Sequence, residues 1–314
     1  MKNSNDNKKT LIILDYDGTI THKDVNFLQS LQDFLKGLDT QYTDIDMDFA
    51  VCSGRPIGYL QFIADGFGGK VKYVACETGG AVGKYDFEKG FFTEYDTLPP
   101  ENEVNTIQKL KQYIFKKTKD SELRLELGKE VSFTVKYGNG EKLNPTEEDM
   151  KQLKENVDRL IEQAKTEGIV TDKDVAKITC NLMHDSYDVC SSINKADAIT
   201  KIIEASKEEK EYDMVIYGGD SVNDISAVEL VLSEEFRKKY GVKTRAICPE
   251  NATSDMRNLV KMKYKDPEAI LIIGKGKALY GIGDALNKAV YGDEIRRIPG
   301  LVSQKRSIQG KDER

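Results

Sequence analysis

Leu11-Ile12-Ile13-Leu14-Asp15-Tyr16-Asp17-Gly18-Thr19 is the stretch whose reading decides the fold. Its four aliphatic residues show no polar alternation, which suits a central parallel strand covered on both faces. The carboxyl end of such a strand is where an open α/β sheet binds ligand, and Gly18 lets the chain turn sharply there. Side chains alternate along a strand, so Asp15 and Asp17 are expected to leave the backbone on the same side. Two carboxylates facing one small space repel each other unless a divalent cation lies between them. Hard oxygen ligands of this kind, helped by a substrate phosphate, suit Mg2+. Taken alone, the motif could equally be an Asp-Gly turn at a strand end. An EF-hand fits less well, because its glycine falls later in the acidic loop.

Other apolar runs end in the chemical groups that the first one lacks. Phe49-Ala50-Val51-Cys52 leads into Ser53-Gly54-Arg55-Pro56, placing a hydroxyl and free backbone N–H groups where they could hold phosphoryl oxygens. Met214-Val215-Ile216-Tyr217 leads into Gly218-Gly219-Asp220-Ser221-Val222-Asn223-Asp224, which adds two carboxylates on one side of a nascent helix. Between them Lys195 stands at the start of an expected helix, in Asn194-Lys195-Ala196-Asp197, where an ammonium could neutralise a transferring phosphoryl group. Among 47 Lys and Arg residues a lysine is ordinarily solvated surface, and only its place in this series singles it out.

In order and context these four segments resemble the motifs of the haloacid dehalogenase superfamily of phosphatases, over most of residues 9 to 290. The resemblance implies a doubly wound, Rossmann-like α/β core with an inserted α+β cap of the C2 type. It implies catalytic roles for Asp15, Asp17, Ser53 and Lys195. Asp15 would attack phosphorus and form an aspartyl-phosphate, and Asp17 would act first as acid and then as base. Ser53, Gly54 and Lys195 would bind the substrate phosphoryl group. Mg2+ would be the cofactor, held by Asp15, Asp17 through its backbone carbonyl, and Asp220, with Asp224 supporting it directly or through water. A phosphomutase similar to the phosphomannomutases is the rival enzyme, and a non-catalytic phospho-ligand or protein-binding module is the rival outside enzymes.

The motifs stop after Ser53 and resume at Lys195, so one domain is expected inside another: core at 1–97 and 191–295, cap at 98–190, and a polar, flexible tail at 296–314. Val71 to Cys76 reads as a strand and Glu77 to about Tyr95 as a hairpin. Val104, Ile107, Leu110, Ile114 and Phe115 keep helical spacing. Leu123, Leu125, Leu127 and then Val131, Phe133, Val135 alternate like strands around Gly128-Lys129. Thr146 with Asp149 resembles a capping box for a helix carrying Met150, Leu153, Val157, Leu160, Ile161 and Ala164. Strands near Ala176 to Met183 and Tyr187 to Cys190 complete the α-β-β-α-β-β order of the smaller C2 caps in the archaeal phosphoglycolate phosphatase and sucrose-phosphatase branch. Cys76-Glu77-Thr78-Gly79-Gly80 and Pro249-Glu250-Asn251-Ala252 are similar to segments of that branch. Arg124, Glu126, Lys129, Glu130 and Lys136 are candidates for reading the substrate, although most charged residues on such a sheet face solvent.

With 314 residues the chain exceeds one typical domain. Acidic residues number 53 against 47 basic ones, a net charge of -6, so no global positive field recruits nucleic acid. No apolar stretch approaches the roughly 20 residues that span a bilayer, and Met1 to Thr10 lacks an apolar signal core. A cytoplasmic protein without a membrane or nucleic-acid partner is expected, acting on a small phosphorylated metabolite. The five cysteines lack Cys-x-x-Cys spacing, which fits free thiols rather than zinc. His22 and His184 show no metal-ligand spacing. Gly274-Lys275-Gly276-Lys277 lacks the spacing of a nucleotide-binding loop and reads as a connection before a terminal helix.

Overall fold

A computed structural model describes residues 8–138, 145–183, 185–207, 210–261 and 270–291. The tail 296–314 and His184 lie outside the described residues. In the first half of the chain, β1 (Lys8–Leu14), α1 (Phe27–Gln41), β2 (Ile45–Cys52), α2 (Ile57–Gly66) and β3 (Val71–Cys76) alternate, and the three strands pair in parallel. A hairpin of β4 (Ala81–Asp86) and β5 (Phe91–Thr97) then adds antiparallel to β3.

The chain next builds a smaller module with its own sheet and core. It comprises α3 (Glu101–Thr118), β6 (Leu123–Leu125), β7 (Phe133–Tyr137), α4 (Glu147–Thr166), α5 (Asp172–Val175), β8 (Thr179–Leu182) and β9 (Tyr187–Cys190), with strand order β6-β7-β9-β8. Thr146 and Asp149 cap α4 reciprocally, and its stripe of Met150, Leu153, Val157, Ile161 and Ala164 is buried. That stripe packs with Ile107, Leu110 and Ile114 of α3 and with Phe133, Val135, Tyr187 and Val189 of the sheet. Two apolar positions depart from the periodic reading. Phe115 is 56% exposed, because its neighbour Ile114 takes the inward face of α3. Leu127 is 81% exposed, because β6 ends at Leu125 and the chain leaves the sheet after the bond from Glu126 N to Thr134 O.

Returning to the large sheet, the chain forms α6 (Lys195–Ser206), β10 (Met214–Gly218), α7 (Ile225–Leu232), α8 (Glu234–Tyr240), β11 (Lys243–Cys248), α9 (Ser254–Lys261), β12 (Leu271–Ile273) and α10 (Ala278–Tyr291). Among the described residues the large sheet runs β12-β11-β10-β1-β2-β3-β4-β5. The aliphatic run of β1 explains why the sheet is doubly wound. Ile12 and Leu14 enter the core formed with α1, α2 and α10, whereas Leu11 and Ile13 enter the core formed with α6, α7 and α9. The strand therefore has no solvent face and needs no polar alternation. Strand order proceeds from β1 to β2 and β3 on one flank and resumes with β10 on the other, so the topological switch lies between β1 and β10. A crevice at their carboxyl ends is the expected ligand position.

All five cysteines are free. No helix among the described residues is long and apolar enough to cross a membrane. The loop before α10 is closed to phosphate: Lys275 N donates to Asp284 at 2.8 Å and Gly276 N donates to Glu250 at 2.8 Å.

Candidate active site

Four separate segments meet at the switch point. Asp15 follows β1 directly, fixed by its N–H to Gly218 O at 2.8 Å, and its side chain is buried. Lys195 opens α6, where Asn194 and Asp197 form a capping box that orients the first turn. From there the buried Lys195 Nζ donates to Asp15 Oδ1 and to Asp224 Oδ1, both at 2.6 Å. Burial opposes the ammonium charge, but Asp15 and Asp224 outweigh it and hold Lys195 protonated.

Asp224 is saturated from behind. Its Oδ1 also accepts from Tyr217 Oη at 2.6 Å, and its Oδ2 accepts from Asp220 N at 3.1 Å, Ser221 N at 3.0 Å and Ser221 Oγ at 3.1 Å. Burial raises its pKa, yet Lys195, Tyr217 and Ser221 overcome that and hold it below the usual carboxylate range. Asp224 thus fixes Lys195 and the 220–221 turn at once. Asp220 is less satisfied, with Thr19 Oγ1 donating at 3.1 Å. Burial pushes its pKa up to about 7, with Asp224 and Asp17 adding repulsion. Asp15 is likewise raised, by burial first, despite Lys195.

Gly18 is required by this packing. Its φ is +86°, and a Cβ there would stand 2.2 Å from Asp220 Oδ2.

The carboxylate oxygens of Asp15, Asp220 and Asp224 lie within 4.8 Å of one another. One ammonium faces these three buried acids, two of which are pushed toward their neutral forms by burial first and by the neighbouring carboxylates second. A hard divalent cation would offset both, so the donor set fits Mg2+. The Asp17 side chain stands apart from this cluster. Arg55 grips it through Nε at 2.9 Å and Nη2 at 2.8 Å, and the guanidinium also lies over the Tyr59 ring, 5.4 Å from its centre. A metal ligand from Asp17 would accordingly be its backbone carbonyl. The expectation of Asp15 and Asp17 as a mutually repelling pair meets two separate ion pairs instead.

Ser53, buried at the end of β2, receives the Arg55 N–H on Oγ at 3.3 Å. With Gly54, Asp15, Asp17 and Lys195 it lines a cavity of about 380 Å3 whose opposite wall comes from the smaller module. Glu126, Lys129 and Lys136 are on that wall. Arg124 instead donates to the Leu123 carbonyl at 2.7 Å, and Glu130 contributes its backbone elsewhere.

Sequence reading missed the group that docks the two sheets. Glu77, buried after β3, accepts from Glu130 N at 2.7 Å, Val131 N at 2.8 Å and Ser132 Oγ at 2.8 Å. It does so from a backbone with φ 52°, followed by Thr78 at φ 61°, a strained conformation held by the surrounding bonds. The signal available was a lone acid between a buried strand and two glycines. Glu77→Ala should leave three donors unpaired and cost about 2–3 kcal/mol. Hydrogen exchange at the Glu130 and Val131 amides should accelerate at least about tenfold; unchanged protection would mean that Glu77 does not dock the module.

A family model described as haloacid dehalogenase-like hydrolase matches residues 12–242. The chain belongs to the haloacid dehalogenase-like hydrolases. The hydrolase is similar to a solved protein of Thermoplasma acidophilum at 17% identity and a TM-score of 0.53, covering 88% of this chain and 96% of that one. A haloacid dehalogenase-like hydrolase from Bacteroides thetaiotaomicron gives 16% identity and 0.50, covering 90% and 100%. The C-terminal domain of the Candida albicans trehalose synthase regulatory protein gives 14% and 0.50, covering 78% and 85%. At these identities the likeness is one of fold. No curated protein matches the hydrolase.

Proposed function

We propose that this hydrolase is a Mg2+-dependent phosphomonoesterase acting on a small phosphorylated metabolite, phosphoglycolate or a sugar phosphate, with the smaller module (98–190) as its cap. The observation that carries this reading is Asp15 buried against Lys195 at the floor of a cavity that Ser53 and Gly54 also line. Simple phosphate binding does not call for an acid at that floor.

Asp15 is placed to attack phosphorus while the bond from phosphorus to the leaving oxygen breaks. Ser53 Oγ and Lys195 Nζ hold the phosphoryl oxygens, and the leaving oxygen takes a proton from Asp17. Water then attacks phosphorus of the aspartyl-phosphate, gives its proton to Asp17, and returns Asp15 as carboxylate with inorganic phosphate released. Asp17 must first part from Arg55, and the incoming phosphate is a natural competitor for that guanidinium. Bound Mg2+, held by Asp15, Asp220 and the Asp17 carbonyl, would offset the repulsion between nucleophile and phosphate. Asp224, with both oxygens occupied, supports the shell from behind.

Phosphate release from p-nitrophenyl phosphate, 2-phosphoglycolate and sugar phosphates is the test. Chelation should lower turnover by more than about a hundredfold and added Mg2+ should restore it; equal turnover with and without chelator would remove the metal from the reading.

Asp220 adds a pH dependence. Its folded pKa of about 7 lies above the ordinary carboxylate value. Its contribution to the stability of the metal-free protein is therefore greatest in acid and is lost as pH rises through about 7. A cation at Asp220 must displace that proton, so Mg2+ affinity should rise about tenfold or less between roughly pH 6 and pH 8. Calorimetric titration showing a flat affinity across that window would argue against Asp220 as a ligand.

A further inference from the structure

The turn after β3 touches three parts of the molecule at once. Glu77 N donates to Arg55 O at 3.1 Å and Thr78 N donates to Ser53 O at 3.0 Å, while Ser53 N donates to Ala75 O at 2.9 Å. Ser53 is thus held through both its N–H and its carbonyl. Gly79 packs against the residue before Lys195, where a Cβ on it would collide with the Asn194 carbonyl. Gly80 faces the smaller module, and a Cβ there would stand 2.5 Å from Val131 Cγ2. The segment 77–80 therefore joins the Ser53 loop, the start of α6 and the smaller module.

Its backbone is an unfavourable one, with φ of 52° at Glu77, 61° at Thr78 and 96° at Gly79. Only the last of these is a glycine, and the other two persist because their surroundings over-determine them. For Glu77 those surroundings include the other module: its buried carboxylate accepts from Glu130 N, Val131 N and Ser132 Oγ. Bonds to a carboxylate are among the stronger ones available to hold such strain. Without them the turn is free to relax toward ordinary φ, which swings the Glu77 and Thr78 N–H groups away from the carbonyls of Arg55 and Ser53. Neither Glu77 nor Ser132 lines the cavity, so their effect on it is indirect.

We infer that Glu77 is a positioning residue: docking of the smaller module onto its carboxylate keeps the 77–79 turn strained, and that turn sets Ser53 and Lys195 for the phosphoryl group. The smaller module thereby governs the phosphoryl end of the substrate through the core. This rests on the phosphomonoesterase reading and goes beyond the docking role, which needs no effect on phosphate.

Orthovanadate is the probe, because it resembles the transferring phosphoryl group and carries no leaving group for the smaller module to contact. Its inhibition constant and kcat/KM for p-nitrophenyl phosphate are measured with Mg2+ on Glu77→Gln, Ser132→Ala and the double variant, beside their melting temperatures. Glu77→Gln should weaken vanadate and lower kcat/KM by at least about tenfold each, and Ser132→Ala, a change within the other module, by about threefold or more. Both act through one contact, so the losses should not multiply in the double variant. Native vanadate affinity in the folded single variants would overturn the inference, whether or not kcat/KM falls, and leave the phosphatase standing. Losses that multiply in full would also overturn it, since Ser132 would then act by a route other than Glu77. Should Glu77→Gln fail to fold, Ser132→Ala decides alone: weakened vanadate binding supports the inference and native binding overturns it. No turnover by the native protein would take down the phosphatase reading and the inference with it.

Discussion

Asp15→Asn removes turnover, by more than about a thousandfold, without lowering the melting temperature of the metal-free protein at neutral pH. The two halves of this result have different causes. Loss of activity follows because an amide cannot form the acyl phosphate, and no other carboxylate takes its place: Asp224 is engaged by five donors and Asp17 by Arg55. Retention of stability follows from the direction of the Asp15 pKa. Burial raises it more than Lys195 lowers it, so the folded state holds the charged carboxylate at a cost that the unfolded chain does not bear. A raised carboxyl contributes stability in acid and loses it as pH rises through its folded pKa. A neutral isostere avoids that loss, and Lys195 keeps Asp224 as a partner. Thermal melting in chelator beside a phosphate-release assay measures both halves. A variant that melts well below the native protein would mean that the Asp15 ion pair is structural, and residual turnover within tenfold of native would remove Asp15 as the nucleophile.

Lys195→Met should lose both activity and stability. Its ammonium bridges Asp15 and Asp224 at 2.6 Å each, with all three side chains buried. Methionine fills similar volume but leaves two buried carboxylates facing each other, at a cost of about 3 kcal/mol or more. Turnover should fall at least about a thousandfold, because the phosphoryl oxygens lose their cation and the Asp15 carboxylate is no longer oriented. The sign of the pH effect distinguishes this account from a simple packing defect. Without Lys195 the two carboxyls titrate upward, so the deficit in stability should shrink as the pH falls and they protonate. Denaturant unfolding at acid and mildly alkaline pH is the measurement. A deficit independent of pH would show that packing, not charge, explains the loss.

The parts of the site that were legible lie next to strong local patterns. Asp15, Ser53 and Asp220 each follow a run of aliphatic residues that only a buried strand accommodates, and strand ends in such sheets face the crevice. Lys195 was legible only through its place in that series, at the start of an expected helix; the Asn194–Asp197 capping box that orients the first turn came from the structure. The charge partners of these residues were not legible. Arg55 is 38 positions from the Asp17 that it holds, and Glu77 is 53 to 55 positions from the atoms that it docks. Neither belongs to a periodic pattern. Leu127 shows the converse failure, since alternation carried on past the point where β6 ends.

By itself, then, the order of residues determined the alternating α/β core and the positions of the acids and the lysine at element ends. Those features follow from hydrophobic period and helix capping, which act over a few residues. Only the tertiary structure decided which charges neutralise each other, that Asp17 is gripped by Arg55, and that Lys129 is buried. Ion pairing and desolvation depend on distances between segments as far apart as the 180 residues separating Asp15 from Lys195. Such distances exist only once the chain has folded.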